Sequence, residues 1–356
     1  METELIRVDP REPDQGVIEK AGRILRDGGL VAFPTETVYG LGGNGLDAAS
    51  SAKIYRAKGR PSDNPLIIHI ARMQDLDRVA AQVPEAARIL ARAFWPGPLT
   101  MVFPKAREVP YETTGGLESV AVRMPDHPVA LALIRAAGGF VAAPSANRSG
   151  RPSPTLAAHV AEDLGGGIDL ILDGGMVGIG LESTIVDLTG PTPMILRPGA
   201  VSRKMLRAHI KEVEMDPGLE EGEESKTPPK APGMRYRHYA PQAPLMIVEG
   251  ERMDVASYIN RSIREKGQQA GILACAENVG LYPDGLVKCI GSREKEETIA
   301  LHLYQALREF DQEDVTCIYS EAFDTPRMGH AIMNRLLKAA GHQVVKVSES
   351  GDIPAN

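Results

Sequence analysis

Aromatic residues and cysteines are scarce in this chain. Phe, Tyr and Trp together make up 4% of it, with one Trp, so the core has to be built mainly from Ala, Leu, Ile and Val. Cys275, Cys289 and Cys317 are widely spaced, odd in number and form no CxxC pair. That excludes a disulfide framework and a thiolate zinc site, and it reads as reduced thiols in a cytoplasmic protein. The eight histidines show no metal-ligand spacing, so no protein-held metal is expected. No apolar run is long enough to cross a bilayer, and Met1-Glu2-Thr3-Glu4 is acidic with no apolar stretch of a secretory signal, so no membrane partner is expected. An excess of basic charge is also missing. Forty Lys and Arg stand against 47 Asp and Glu, for a net charge of -7. This argues against a broad, non-specific grip on nucleic acid but leaves room for a local basic cleft.

What is there is an ordinary soluble composition, 43% hydrophobic and 24% charged, in 356 residues, a length that points to two domains. Residues 1–205 mix short apolar runs and helix-like segments. Strands are expected at Leu30–Phe33, Pro65–Ile70, Val120–Met124, Phe140–Ala143, Leu170–Leu172 and Thr184–Leu188, and helices at Ala48–Ala57 and Glu85–Ala93. Residues 206–244 change to an acidic and proline-rich linker. Within it, Pro232-Gly233-Met234-Arg235-Tyr236-Arg237-His238-Tyr239-Ala240-Pro241 is too aromatic and too basic for a passive spacer, and is expected to act as a lid. Residues 245–356 alternate strands and helices, as a small and mainly parallel Rossmann-like domain does. That domain lacks a GxGxxG turn, so no dinucleotide site is inferred in it.

Polar chemistry gathers at strand ends in the first domain. After the strand at Phe33, Pro34-Thr35-Glu36-Thr37-Val38-Tyr39-Gly40-Leu41-Gly42 delivers hydroxyls and a carboxylate into what reads as a glycine-rich loop. Lys53, Arg56, Lys58 and Arg60 fall within eight positions around the expected helix end at Gly59. Lys58 and Arg60 are placed in a short exposed turn, and cations so close together fit a polyphosphate. Arg123 interrupts an apolar strand, where a planar guanidinium can pair with a carboxylate. His69 lies in the strand beyond the basic turn, and Ser145-Ala146-Asn147 with Ser153 follows another strand.

Together these motifs resemble the threonylcarbamoyl-AMP synthases, the YrdC-like family, in the long two-domain form. The resemblance rests on Pro34 to Leu41, Lys58-Gly59-Arg60-Pro61, Asn64-Pro65-Leu66, Ser145-Ala146-Asn147, Glu182 to Asp187 and Arg197-Pro198-Gly199, in that order, with Pro232 to Pro241 beyond. It implies an α/β fold: a YrdC-like twisted mixed sheet with a basic cavity, plus a smaller Rossmann-like C-terminal domain. It implies a nucleotidyltransferase that joins ATP, taken with Mg2+, to bicarbonate and L-threonine. The product is threonylcarbamoyl-AMP, made for a separate tRNA threonylcarbamoyl transferase machinery, with no stable tRNA binding needed in this first step. Carried over by position, Thr37, His69, Arg123, Ala143 and Ser183 face threonine, while Arg60, Asn64, Ser119, Ser145, Ser153, Arg197 and Tyr236 face ATP. Lys58 and Arg60 are the catalytic cations toward the phosphates. No general base is evident. Two other readings stay open on the residues: a module that binds RNA or a nucleotide without chemistry, and a carbamoyl transferase of the hydrogenase-maturation kind. The absence of any CxxC pattern weighs against the latter.

Overall fold

The computed structural model describes residues 2–219, 239–267 and 269–348. The chain divides into two units. One comprises residues 1–149 and 153–236, the other residues 150–152 and 237–356.

In the first unit the strands are β1 (Glu4–Arg7), β2 (Val31–Phe33), β3 (Gly40–Asn44), β4 (Ile67–His69), β5 (Leu99–Pro104), β6 (Ser119–Arg123), β7 (Val141–Ala142), β8 (Leu170–Asp173), β9 (Thr184–Asp187), β10 (Met194–Arg197) and β11 (Glu214–Met215). They form an 11-stranded sheet in the order β1-β8-β2-β3-β7-β4-β6-β5-β9-β10-β11. The sheet is mixed, as expected: β4 runs parallel to β6, whereas β5 runs antiparallel to β6. Period-2 alternation gives its central strands two different faces. Ile68, Leu99, Met101, Phe103 and Val122 point into the larger core. Ile67, Val102, Ala121 and Ile185 form a smaller apolar floor on the opposite side. Burying each large aliphatic or aromatic side chain contributes about 1.5–3 kcal/mol.

The stretch expected to be a glycine-rich loop is a loop through Tyr39, but its glycine-bearing end from Gly40 onward is a strand. This strand pairs antiparallel with β2 through Gly40, Leu41 and Gly42, Phe33 opposite Gly40 and Val31 opposite Gly42, and with β7 through Gly43 and Asn44. Its glycines serve close packing. A Cβ on Gly42 would lie 2.9 Å from Cγ1 of Val141, and one on Gly43 would lie 3.0 Å from Cδ1 of Ile54. Ile54 belongs to the helix Ala48–Lys58, which therefore rests directly on the bare strand. Asp47 caps that helix, its carboxylate accepting from the amides of Ala49 and Ser50. Gly59 ends it in the left-handed region at φ 61°.

The second unit contains β12 (Leu245–Glu249), β13 (Ala270–Ala274), β14 (Leu286–Cys289), β15 (Cys317–Glu321) and β16 (Val344–Lys346). Their order is β14-β13-β15-β12-β16, and every pairing is parallel. The helices Arg252–Lys266, Glu296–Phe310 and Gly329–Ala339 make three of the crossovers. Before β15, the amide of Val315 closes the turn after the preceding helix by donating to Glu313 O at 2.9 Å. No helix among the described residues is long and apolar enough to cross a membrane.

Candidate active site

Strand register assembles the first half of the site. His69 on β4 stands opposite Arg123 on β6, and Arg123 stands opposite Thr100 on β5. Thr100 in turn faces Ile185 on β9, and Ile185 faces Arg197 on β10. Directly opposed residues share a face, so five adjoining strands lay His69, Arg123, Thr100 and Arg197 in one row. Ser183 sits at the entrance of β9, two residues before Ile185, and so on the same face. The side chains then lock together. Thr100 Oγ1 and Ser183 Oγ are 2.7 Å apart, and Arg197 donates to Ser183 O at 3.0 Å and to its Oγ at 3.2 Å. Arg123 donates to Thr37 Oγ1 at 2.9 Å, and Thr37 Oγ1 is 2.9 Å from Thr35 Oγ1. The amide of Ala143 is held by Ile67 O at 2.9 Å, at the end of β7.

Four of these side chains are almost fully buried. Thr37, His69, Arg123 and Ser183 are all 4% exposed or less. Burial, and secondarily the charge of Arg123, push His69 down to about 3, so its imidazole is neutral at ordinary pH. Its Nδ1 lies 3.1 Å from Ile67 O. A neutral ring beside a guanidinium offers a hydrogen bond without adding positive charge.

The second half of the site is built around the turn at Gly59. Lys58, expected in an exposed turn, is 1% exposed. The left-handed turn that ends its helix leaves the side chain pointing inward. Its ammonium donates to the carbonyls of Ser145 and Asn147, with Asn147 Oδ1 at 3.3 Å. Lys58 therefore shapes the Ser145-Ala146-Asn147 loop besides contributing charge. Ser145 Oγ donates to Asn147 Oδ1. Arg60 folds over the next turn, donating to Asn64 O and Pro65 O, each at 3.1 Å. Asn64 is 1% exposed, and neither atom of its side-chain amide has a hydrogen-bond partner. A buried amide with no partner costs free energy unless something else completes it. Ser153, fully buried, donates to Glu182.

Ser119 starts β6, on the face of Arg123 but roughly 13 Å away at about 3.3 Å per residue. Tyr236, the linker residue assigned to the nucleotide, lies outside the described residues, as does His238. Tyr239 is described. It sits at φ 66°, 6% exposed, with its ring 5.1 Å from that of Tyr304.

Two residues without an assigned role in the sequence belong to this constellation. Thr100 bridges Arg123's strand to Ser183, and its only sequence signal is a hydroxyl inside the apolar run Leu99-Thr100-Met101-Val102. Glu36 brings its carboxylate to 2.7 Å from Nη2 of Arg123. Among the described residues no group of three or more His, Cys, Asp or Glu is placed to hold a metal ion.

Comparison with known proteins gives the following. A model of the Sua5, YciO and YrdC proteins described as telomere recombination matches residues 23–199. A model described as threonylcarbamoyl-AMP synthase, C-terminal domain, matches residues 201–341. The threonylcarbamoyl-AMP synthase of Bacillus subtilis (strain 168) is 48% identical over 330 residues, 92% of this chain and 94% of that protein. That of Pyrococcus abyssi (strain GE5 / Orsay) is 48% identical, over 93% of this chain and 96% of its own. The solved structure of P. abyssi Sua5 complexed with L-threonine superposes with a TM-score of 0.92 at 46% identity, covering 97% of this chain and 100% of the other. A variant of the same protein, with an adjacent histidine and tyrosine both replaced by alanine, gives 0.91 at 46% identity, covering 97% and 98%.

Proposed function

This chain belongs to the threonylcarbamoyl-AMP synthase family in its two-domain form, and on that premise we propose how its own residues join ATP, bicarbonate and L-threonine into threonylcarbamoyl-AMP and pyrophosphate. The observation that carries the reading is the juxtaposition, within the first unit, of a polar row along the strands and a second set of polar groups around the turn at Gly59, joined where Arg197 bonds Ser183. Arg123, with Thr37, Ser183, neutral His69 and the backbone of Ala143, suits a hydroxyl-bearing amino acid. Arg60, unpartnered Asn64, Ser145 on its Lys58-held loop, Ser153, Ser119 and Arg197 suit a nucleotide.

Threonine's carboxylate pairs with the Arg123 guanidinium, in the geometry that planar donors favour. Its side-chain hydroxyl meets the hydroxyls of Thr37 and Ser183. The amine nitrogen then bonds to the bicarbonate carbon with loss of water, and a carbamate oxygen displaces pyrophosphate from the α-phosphorus of ATP. ATP is taken as its Mg2+ complex. The ion would add positive charge beside the phosphates as pyrophosphate leaves. Lys58 and Arg60 offset the charge that grows on pyrophosphate as it leaves. The preformed hydroxyl row points to catalysis by positioning more than by a dedicated base.

The linker segment from Pro232 to Pro241, of which residues 232–238 lie outside the described residues, is read as a lid that would protect an easily hydrolysed adenylate. Tyr236 is one candidate contact. His238-Tyr239 is another, being the one adjacent His-Tyr pair in this sequence and the counterpart in kind of the pair removed in the P. abyssi variant. The product is consumed in the cytoplasm by a separate transferase that moves the threonylcarbamoyl group to an adenosine in tRNA. Pyrophosphate release from ATP should require threonine and bicarbonate together. Release at full rate without threonine would contradict the proposal.

A further inference from the structure

The Arg123 guanidinium is engaged on three sides. Its Nε donates to Gly97 O at 3.3 Å, its Nη1 to Thr37 Oγ1 at 2.9 Å, and its Nη2 lies 2.7 Å from Oε2 of Glu36. The last contact is unlike the other two. It is short, but Nη2 and both carboxylate oxygens of Glu36 are buried without any aligned hydrogen bond. The Arg123 and Glu36 side chains are 5% and 14% exposed. An ion pair this buried removes both charges from water, and poor alignment returns less of that cost than a directed bond would. Such a pair is held by the need for some counter-charge more than by its own geometry.

We propose that Glu36 is an internal stand-in for the substrate carboxylate. It neutralises Arg123 while the site is empty and gives up the guanidinium to L-threonine by exchange. This rests on the reading of Arg123 as the threonine-carboxylate site. Exchange keeps the count of buried charges balanced. One carboxylate leaves Nη2 as another arrives, and the newcomer gains the aligned bonds that Glu36 lacks. The displaced carboxylate has somewhere to go. Its side chain faces solvent in part, and His127, close enough to feel the charge of Glu36, presents a buried Nδ1 with no partner.

Glu36 thereby acts as a positioning residue with a consequence for selectivity. A ligand has to bring its own carboxylate to displace it, so an amino alcohol with the threonine side chain enters poorly even though it fills the same volume. The cost of displacement also weakens threonine binding below what Arg123 alone would give.

The test is calorimetric binding of L-threonine to the full chain, without ATP, for the wild type, Glu36→Gln and Glu36→Asp. Removing the competing charge leaves Arg123 uncompensated when empty. Glu36→Gln should therefore melt at a lower temperature without ligand, yet bind L-threonine about tenfold more tightly, because breaking one side of a buried pair is costly and the ligand relieves it. Glu36→Asp, which keeps the charge on a shorter arm, should fall between the two and serves alone if Glu36→Gln does not fold. L-threoninol should bind the wild type far more weakly than L-threonine does. Unchanged or weaker threonine binding in both variants overturns the stand-in and makes Glu36 a structural residue or a direct ligand of the substrate ammonium. Absence of threonine binding by the wild type itself would instead overturn the assignment of Arg123, and the stand-in with it.

Discussion

Asn64 and Lys58 lie six residues apart, and both are almost fully buried, yet they should respond to truncation in opposite ways. Asn64 makes no side-chain hydrogen bond. Replacing it with Ala removes a buried unsatisfied amide, so Asn64→Ala should leave the melting temperature unchanged or raise it. If its amide is completed by the nucleotide, KM for ATP should rise about fivefold to a hundredfold, corresponding to roughly 1–3 kcal/mol. Lys58→Ala should lower the melting temperature as well as turnover, because two carbonyls of the Ser145 loop lose their donor. A destabilised Asn64→Ala, or a Lys58→Ala that keeps wild-type stability, contradicts the respective assignment. His69 gives a pH signature. Its folded value is lowered to about 3 by burial, whereas in the unfolded chain it returns to the ordinary histidine range near 6.5. Between those values the unfolded chain binds the extra proton. The contribution of His69 is therefore complete above about pH 6.5 and is lost as pH falls toward 3, by at most about 1.4 kcal/mol per pH unit. Chemical denaturation across pH 4–8 should show His69→Asn with a shallower acid decline than the wild type. Parallel profiles would mean that His69 is not held neutral.

At the scale of elements, the site exists because adjoining strands end or pair in one register. Gly199 shows how closely they are fitted. A Cβ there would lie 2.5 Å from the amide nitrogen of Thr184 and 2.9 Å from Glu182 O. Both are backbone atoms at the entrance of β9 and cannot yield as a side-chain tip can. Gly199→Ala should push β9 away from the Arg197 turn, cost about 1–3 kcal/mol of stability, and reduce activity by more than stability alone explains, since Ser183 is held by Arg197 across that contact. A variant with wild-type melting and turnover would show that the approach is looser than this. The same elements mark what the sequence could reveal. Short β-branched runs such as Thr184–Asp187 and a capped helix such as Ala48–Lys58 are local signals, and both are present. Gly40-Leu41-Gly42 reads as part of a loop but belongs to the strand Gly40–Asn44. Its glycines answer to Val141 and Ile54, distant in sequence, and nothing nearby distinguishes packing glycines from turn glycines. The pairings of Thr100 with Ser183 and of Glu36 with Arg123 were invisible for a related reason. They depend on which strands lie side by side, and spacing along the chain does not encode strand order. The inward turn of Lys58 depends likewise on a loop that begins at Ser145.

At the scale of the molecule, a net charge of -7 coexists with a polar, partly cationic row set into one face of an 11-stranded sheet. The second unit, an all-parallel five-stranded sheet, matches its own family model and carries Tyr239, beside the histidine that completes the linker's His-Tyr pair. Both half-sites lie in the first unit, so the chemistry should be governed there. The most direct measurement is mass spectrometry of the product formed by the full chain from ATP, L-threonine and 13C-bicarbonate. The account predicts an AMP-linked threonylcarbamoyl compound carrying one label per molecule, together with an equal amount of pyrophosphate, and neither when threonine or bicarbonate is withheld. An unlabelled adenylate, or pyrophosphate formed without the labelled product, would contradict it.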